Sequence, residues 1–542
     1  MIRRGLLTFG VGVPLVALLA VLTLVFRNVI LAPETARPGG TYTEGIVGQL
    51  GPLNPLFGGA AAGSNDLDAL LFEPLVRVLP KGSVQGMLAS RWDISPDQRS
   101  YVFTLRSNAR WSDGSPVAAD DVVFTVRTVQ DPQFPGVLLN QSWKDIIATP
   151  IDSQHVRFAL PGHNAGFLAS LELLDIVPSH LLAGKSMAEL ASASPNINPV
   201  GTGPFRMTAQ LPDRIVLERN PFAWRKPWLD TLTVRSFPSQ QSALDALDRS
   251  QIDGVSNLSP AGVARQAAKK QVAVLTAATY QYAELLLNLK GDEPYFQDKQ
   301  VRRAIAMAID RQAIIRDVLG GQATVADGPI PRSITWAYDA NAKPPTYDPA
   351  GAARLLDTAG WTLASGRRTK TGTELTIQLA VSQDVPPYQK VGEVLSRQLA
   401  AVGIAVSVQP VTTTALIHDY LNPRTFDMAL TAFDNGPDPD VYTFWHSSQT
   451  HAGGFNFSSM KKNVFIDQDL EDGRATLNLA TRAKAYADFQ ELFAQEVPAI
   501  FLYSPRYAMA INHRVHGVHL DPAIEPMERF AYVNDWYVEV GR

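Results

Sequence analysis

Apolar and polar residues alternate along SYVFTLRS, which places Tyr101, Phe103 and Leu105 on one face and predicts a half-buried strand. Asp113-Gly114 is a turn signal, and Ala118 to Val129 then reads as a helix. Asp120 and Asp121 fall in its first turn, where the helix dipole favours negative charge. A first strand is expected near Thr41–Val47. Further along, DKQVRRAIAMAIDRQAIIRDVLGG predicts one long helix, with Asp298 as its N-cap, apolar positions at Val301, Ile305, Ile309 and Ile315, and Gly320-Gly321 as its stop. Asp348-Pro349 opens another helix, which ends at Gly360. Leu375–Val381 reads as strand, Tyr388–Val402 as helix and Ile404–Val411 as strand, an order that predicts a parallel α/β unit. Thr481–Val497 is a further helix, ended by Pro498 before the apolar strand Ala499–Tyr503. The whole reads as an α/β protein with a mixed, β-rich lobe ahead of it.

One segment stands outside this pattern. Arg3 and Arg4 precede Gly5 to Phe26, a run without charge. A signal-peptide core needs about 7–15 apolar residues and a spanning helix roughly 20, so residues 5–26 predict a transmembrane anchor, with a long cleaved signal segment as the alternative. The basic pair ahead of the run orients residues 1–4 toward the cytoplasm and exports the remainder. Residues 27–40, ending in APETARPGG, read as a tether.

The 542 residues suffice for three or four domain-sized units, and 46% apolar against 18% charged residues describes a chain with a large core. A net charge of −4 leaves no basic footprint for nucleic acid. The absence of cysteine excludes disulfides, thiolate metal sites, cysteine catalysis and lipid attachment through cysteine.

Candidate chemistry is sparse. There is no G-x-S-x-G, H-E-x-x-H, Walker A or dinucleotide glycine fingerprint, so no catalytic residue and no cofactor is expected. His513, His516 and His519 in HRVHGVH would share a face on a helix, but Val515, Gly517 and Val518 favour strand or turn, where His516 points away from the other two. The strand Phe426–Ala432 runs into FDNGPDPDVYTFWHSSQ, which sets Asp434, Asp438 and Asp440 close together on a loop stiffened by two prolines. This is not a calcium loop: counting from Asp434, Gly436 stands where a ligand is needed, Pro439 where glycine is needed and Trp445 in place of glutamate. Loops after α/β strands are common ligand sites, and an exported hydrolase using these carboxylates is the enzymatic alternative.

Three blocks carry a family resemblance. These are MLASRWDISPDQRSYVFTLRSNARWSDGSPVAADDVVFTVRTV; NPVGTGPFRM with RNPFAWRKPWLDTLTVRSFP; and LLLNLKGDEPYFQDKQVRRAIAMAIDRQAIIRDVLGGQATVADGPIP. In sequence, order and spacing they resemble the bacterial extracellular solute-binding proteins of family 5, the peptide-receptor subunits of ABC importers. The match runs from about residue 40 to the end. It departs from the family at Ala118, where threonine usually caps the helix, and in lacking the usual lipid-bearing cysteine, which leaves residues 5–26 as the anchor.

The resemblance implies a periplasmic-binding-protein type II fold, α/β, with two lobes and an extra domain inserted in the first. The first lobe would comprise 40–75, 200–283 and 508–542, the insertion 76–199, and the second lobe 284–507. Ligand would be enclosed as the lobes close about a hinge, the domain closure by which periplasmic binding proteins work. In peptide-binding members a second-lobe aspartate receives the peptide's α-ammonium group, and neighbouring backbone holds the peptide as an added strand. By position that aspartate is Asp434, preceded by Thr431, Ala432 and Phe433. The loop is one residue longer than in well-matched peptide binders, which leaves Asp438 and Asp440 as alternatives. Tyr503 resembles a pocket tyrosine, and Gly59 and Ala61 match a first-lobe loop. The same family also binds nickel chelates, haem, opines and oligosaccharides; Trp336, Tyr338, Trp361, Tyr388 and Trp445 would be the residues to stack on sugar rings. The expectation is a monomeric, non-catalytic receptor, tethered to the membrane, that delivers short peptides to a permease.

Overall fold

The computed structural model describes residues 39–51, 53–57, 64–192, 198–290 and 294–538. Residues 1–38, with the predicted anchor, and Gly59 and Ala61 lie outside them. Among the described residues no helix is long and apolar enough to cross a membrane.

One strand organises the molecule. Ala499–Asn512 is buried along nearly its whole length, the exceptions falling at Pro505, Arg506 and Asn512. Its first half pairs antiparallel with Gln281–Leu287 and Ala323–Val325. Its second half pairs antiparallel with Val272–Ala278, from Ala278↔Arg506 to Val272↔Asn512. The chain therefore passes between two lobes at two adjacent points, near 279–280 and near 504–505. Thr279 ties them together, its hydroxyl donating to the Pro505 carbonyl at 2.9 Å. Pro505 has no N–H to give to a ladder, so a change of partner at that point leaves no orphaned donor.

In the first lobe Thr41–Val47 runs parallel to Thr231–Phe237 and to Gly254–Val255, and Arg214–Arg219 and Phe205–Leu211 extend the sheet antiparallel. Its core includes Tyr42, Leu217, Leu232, Val234 and Trp536. Fully buried Arg529 is held by Asp66 at 2.5 Å and Glu44 at 3.2 Å, which fastens the C-terminal segment to the helix Ser64–Leu71 and the first strand. Between the halves of this lobe, Ala89–Ile94, Ser100–Leu105, His155–Ala159 and Ile147–Pro150 form a separate antiparallel sheet. It packs on the helix Ala119–Gln130 around Tyr101, Phe103, Trp143, Phe158 and Phe167. In the second lobe Thr376–Ser382 runs parallel to both Ala405–Val411 and Met428–Asp434, and the last of these lies antiparallel to Gln281–Leu287. The helix Tyr388–Ala400 covers the parallel pair, giving the strand–helix–strand unit expected.

One local reading changes and another gains detail. The long helix expected from Asp298 to Gly320 is two helices, Lys299–Ala308 and Arg311–Asp317. Ile309 is extended, and the Asp310 carboxylate accepts the Ala313 N–H at 2.9 Å, so a second N-cap interrupts a continuous apolar pattern. Asp121, read as a helix-dipole residue, is buried and bonded on every side. It accepts from the Ala118 N–H at 2.9 Å, from Trp111 Nε1 at 3.2 Å and from the N–H and hydroxyl of Ser179. The Ala118 bond also supplies one half of a capping box that alanine itself cannot provide.

Candidate functional site

The strand Met428–Asp434 pairs with Thr376–Ser382 only from Met428 to Leu430, while its other edge stays paired with Gln281–Leu287 as far as Asp434. Thr431, Ala432 and Phe433 thus end the strand with one edge that has no strand neighbour among the described residues. Thr431 is buried opposite Glu284, Ala432 is exposed, and Phe433 packs on Phe444 at 4.6 Å between ring centroids. After Asp434 the chain turns sharply. The Asp434 carboxylate accepts the Gly436 N–H at 3.1 Å, Gly436 takes a φ of 59° with open space where a side chain would stand, and Asn435 Nδ2 donates to the Pro329 carbonyl at 2.8 Å.

The three aspartates of this loop have different surroundings. Asp434 is exposed and lines a cavity of about 530 Å³. Asp438 makes a two-pronged pair with Arg482, at 2.7 and 3.0 Å, and Arg482 also donates to the Gly473 carbonyl. Asp440 is paired with Arg474 at 2.8 Å, and that guanidinium lies 4.4 Å over the Tyr442 ring. Trp445 is buried edge-on to Phe493 in the second-lobe core, and Tyr503 is buried in the sheet opposite Ala283. Trp361 and Tyr388 are core residues as well, and Trp336 lies under the Arg482 guanidinium. His516 stacks on Tyr537, and His519 lies tilted against Tyr532.

The cavity has the Asp434–Pro437 loop on one side, and on the other the first lobe and its insertion, including Phe72, Trp224, Phe530 and Tyr532. The two sides also meet beyond it, where the Ala165 N–H donates to the Arg474 carbonyl at 2.9 Å and the Leu477 N–H donates to Gln98 Oε1 at 3.0 Å. Its lining is acidic: Asp68, Glu73, Glu172, Asp175, Glu525 and Glu528 join Asp434, against Arg77 and Arg225. Arg77 contacts Glu172 at 3.9 Å, Glu528 at 3.4 Å and Asp521 at 2.9 Å. Burial raises Glu172 and Glu528 above the usual carboxylate range. Burial also raises Glu525, followed by a hydrogen bond to Asp434 and by the charge of that group. Two acids, Glu525 and Asp434, therefore face each other across the cleft, an arrangement that favours the neutral form of Glu525.

None of these first-lobe acids stood out from the sequence. The available signal was in SNDLDALLFEPL, where Asp66 and Asp68 interrupt a run whose leucines are all buried; a charge inside an apolar helical pattern demands a partner.

A family model for the bacterial extracellular solute-binding proteins, family 5 (middle region), matches residues 83–454. The oligopeptide-binding protein AppA of Bacillus subtilis is 27% identical over 497 residues, spanning 89% of this chain and 90% of the relative. Its solved structure in complex with a nonapeptide superposes with a TM-score of 0.76 at 25% identity, covering 93% of this chain and all of AppA. NikZ of Campylobacter jejuni, solved in complex with Ni(L-His), gives a TM-score of 0.75 at 25% identity over 92% of this chain and 99% of NikZ. With two lobes joined by paired crossings and a cavity between them, the chain belongs to the family 5 bacterial extracellular solute-binding proteins and has their periplasmic-binding-protein type II fold.

Proposed function

We propose that this chain is a non-catalytic, extracytoplasmic receptor that encloses a short peptide between its lobes and delivers it to an ABC import permease. The observation that carries the reading is the placement of Asp434: an exposed carboxylate on the cavity wall, at the end of a strand whose last residues have, among the described residues, a free edge. A peptide laid along Thr431–Phe433 would bond main chain to main chain, whatever its side chains, and its α-ammonium group would meet Asp434. Asp438 and Asp440 already hold arginines, which favours Asp434 for this role. The crossings near 279–280 and 504–505 would be the hinge, dividing a second lobe from a first lobe that carries the 76–199 insertion. AppA, an oligopeptide-binding protein, supports the choice of ligand. The uncharged run at 5–26 would tether the receptor to the membrane, and cell fractionation of the full chain beside a version starting at residue 38 tests that assignment.

The binding test is calorimetric titration of the full chain with a set of short peptides, each with a free and an acetylated N-terminus. Free-amine peptides should bind at least about tenfold more tightly, as expected for a charge-assisted bond in a water-poor site. Equal binding would remove the carboxylate–ammonium contact. Binding of nickel–histidine or an oligosaccharide, with no response to any peptide, would replace the ligand class. Turnover of a peptide or glycoside that is lost in Asp434→Asn would make the protein a hydrolase.

A further inference from the structure

Away from the Asp434 loop, the first-lobe side of the cavity holds Asp68, Glu73 and Asp175. Asp68 is only 6% exposed, and its Oδ1 has no hydrogen-bond partner among the described residues. Asp68 sits in the helix Ser64–Leu71, which is fastened from behind by the Asp66–Arg529 pair, so its position is fixed by the lobe's own core. Glu73 receives the Trp224 indole N–H on both oxygens, at 2.9 and 3.0 Å. Among the described residues no basic side chain lies within 4.0 Å of any of the three, whereas Glu172 and Glu528 share Arg77. Arg106, whose charge reaches Glu73, is committed elsewhere: it donates to the Met87 and Gly86 carbonyls and stacks 3.9 Å over Trp224. Burial pushes Asp68 up to about 8, with Asp175 and Asp66 adding to it, and burial likewise takes Glu73 to about 8 and Asp175 to about 7.

A folded protein rarely leaves buried carboxylates such as Asp68 and Glu73 without a cation, and here the space beside them and half-buried Asp175 is the cavity. Among the described residues no group of three acids or histidines is arranged as metal ligands. The neighbouring walls, Phe72, Trp224 and Phe530, are flat and apolar, suited to the methylene stem of a long cation.

We infer that Asp68, Glu73 and Asp175 form a subsite for a lysine or arginine side chain of the bound peptide, so that the receptor selects basic peptides. The inference rests on the peptide-receptor reading and adds a second cation contact to the one at Asp434.

The test titrates the full chain with tetra-alanine and with its variants carrying one lysine, or one norleucine, at each position. Norleucine keeps the apolar stem and removes the charge. At one position lysine should bind about tenfold or more tightly than norleucine. That ratio should collapse in Asp68→Asn and in Asp175→Asn, with tetra-alanine binding retained. Because the lysine–norleucine comparison is made on the unaltered protein, it stands even if a variant fails to fold. Equal lysine and norleucine affinity at every position, with peptides bound, overturns the subsite and leaves the peptide receptor standing. Spermidine and agmatine separate the remaining cases. If no peptide binds but either amine stabilises the protein and Asp68→Asn abolishes the effect, the acidic subsite holds and the peptide reading falls. If neither peptides nor amines bind, the subsite is overturned together with it.

Discussion

Replacing Asp438 by asparagine should destabilise the second lobe without touching ligand recognition, while Asp434→Asn should do the reverse. The Arg482 side chain is 4% exposed and that of Asp438 14%, so their pair is shielded from water. Removing one member of a buried pair costs about 3–5 kcal/mol, because the other charge stays behind unpaired. Arg482 would keep the Gly473 carbonyl and the rings of Trp336 and Tyr486, neutral groups that offset only part of its charge. For a lobe of about 200 residues, each kcal/mol lowers the melting temperature by about 2–4 °C, so the second-lobe transition should fall by on the order of 10 °C. Asp434 is exposed, and an asparagine there can still accept the Gly436 N–H and hydrogen-bond Glu525; its replacement should change stability by no more than about 0.5 kcal/mol. Truncating its contact with an ammonium group should weaken binding of free-amine peptides by about 2–5 kcal/mol, at least thirtyfold. Differential scanning fluorimetry reads the first effect and calorimetric titration the second. Loss of peptide affinity in Asp438→Asn at an unchanged melting temperature would refute the reasoning, because it would place Asp438 toward the ligand and make its pairing with Arg482 dispensable. The double variant Asp438→Leu/Arg482→Met removes both charges and should recover most of the lost stability.

Two pH effects follow from the raised carboxyls. Asp68, Glu73 and Asp175 titrate at about 8, 8 and 7 in the folded protein, against about 4 in the unfolded chain. Groups raised in this direction contribute stability that is fully present below about pH 4 and lost as pH rises through 7–8. The melting temperature of the empty protein should therefore fall from pH 5 to 9, less steeply in Asp68→Asn; parallel slopes would refute the assignment. Glu525 has the same sign but is pushed up to about 10: as pH rises toward that value and its proton leaves, it faces the Asp434 carboxylate across the cleft with Glu528 and Glu172 nearby, and the empty closed form should open. Small-angle scattering should show the radius of gyration growing with pH in the wild type and not in Glu525→Gln; identical profiles would refute it.

What the sequence disclosed follows from what each feature depends on. The alternation in SYVFTLRS and the strand–helix–strand order of 375–411 are local, and both are present in the fold. The break at Ile309-Asp310 is local too, but the apolar spacing runs through it and the cap chemistry of Asp310 outweighs that spacing. The long strand Ala499–Asn512 was legible only to Tyr503, because the apolar run is broken at Pro505 and the second half is defined by partners far away in sequence. In the loop, spacing placed three aspartates together but could not distribute them, since Arg474 and Arg482 lie on later segments that fold back against it. The acids of the first-lobe wall could not be grouped for the same reason. Asp68, Asp175 and Glu525 come from three distant stretches, and only Asp68, inside an apolar helical run, carries a local signal before the fold brings them to one cavity.

That convergence makes recognition and closure one electrostatic problem. When the lobes meet without a ligand, Arg77 compensates the acids beside it. Asp68, Glu73 and Asp175 on one wall, and the Asp434–Glu525 pair across the cleft, have no paired cation among the described residues. Burial lifts the carboxyls of Asp68 and Asp175 to about 8 and about 7, which favours their neutral forms in the empty cavity. In the proposed reading, a peptide with a free amino terminus would supply a positive charge at Asp434, and a basic side chain would supply another at Asp68 and Asp175. At Asp68 and Asp175 the incoming cation would favour the charged carboxylates that burial disfavours in the empty cavity. A neutral ligand of the same size fills the volume but leaves the charges unanswered. The same acids that would select the ligand thus penalise the closed empty state, so that the free energy of closing depends on what has been captured.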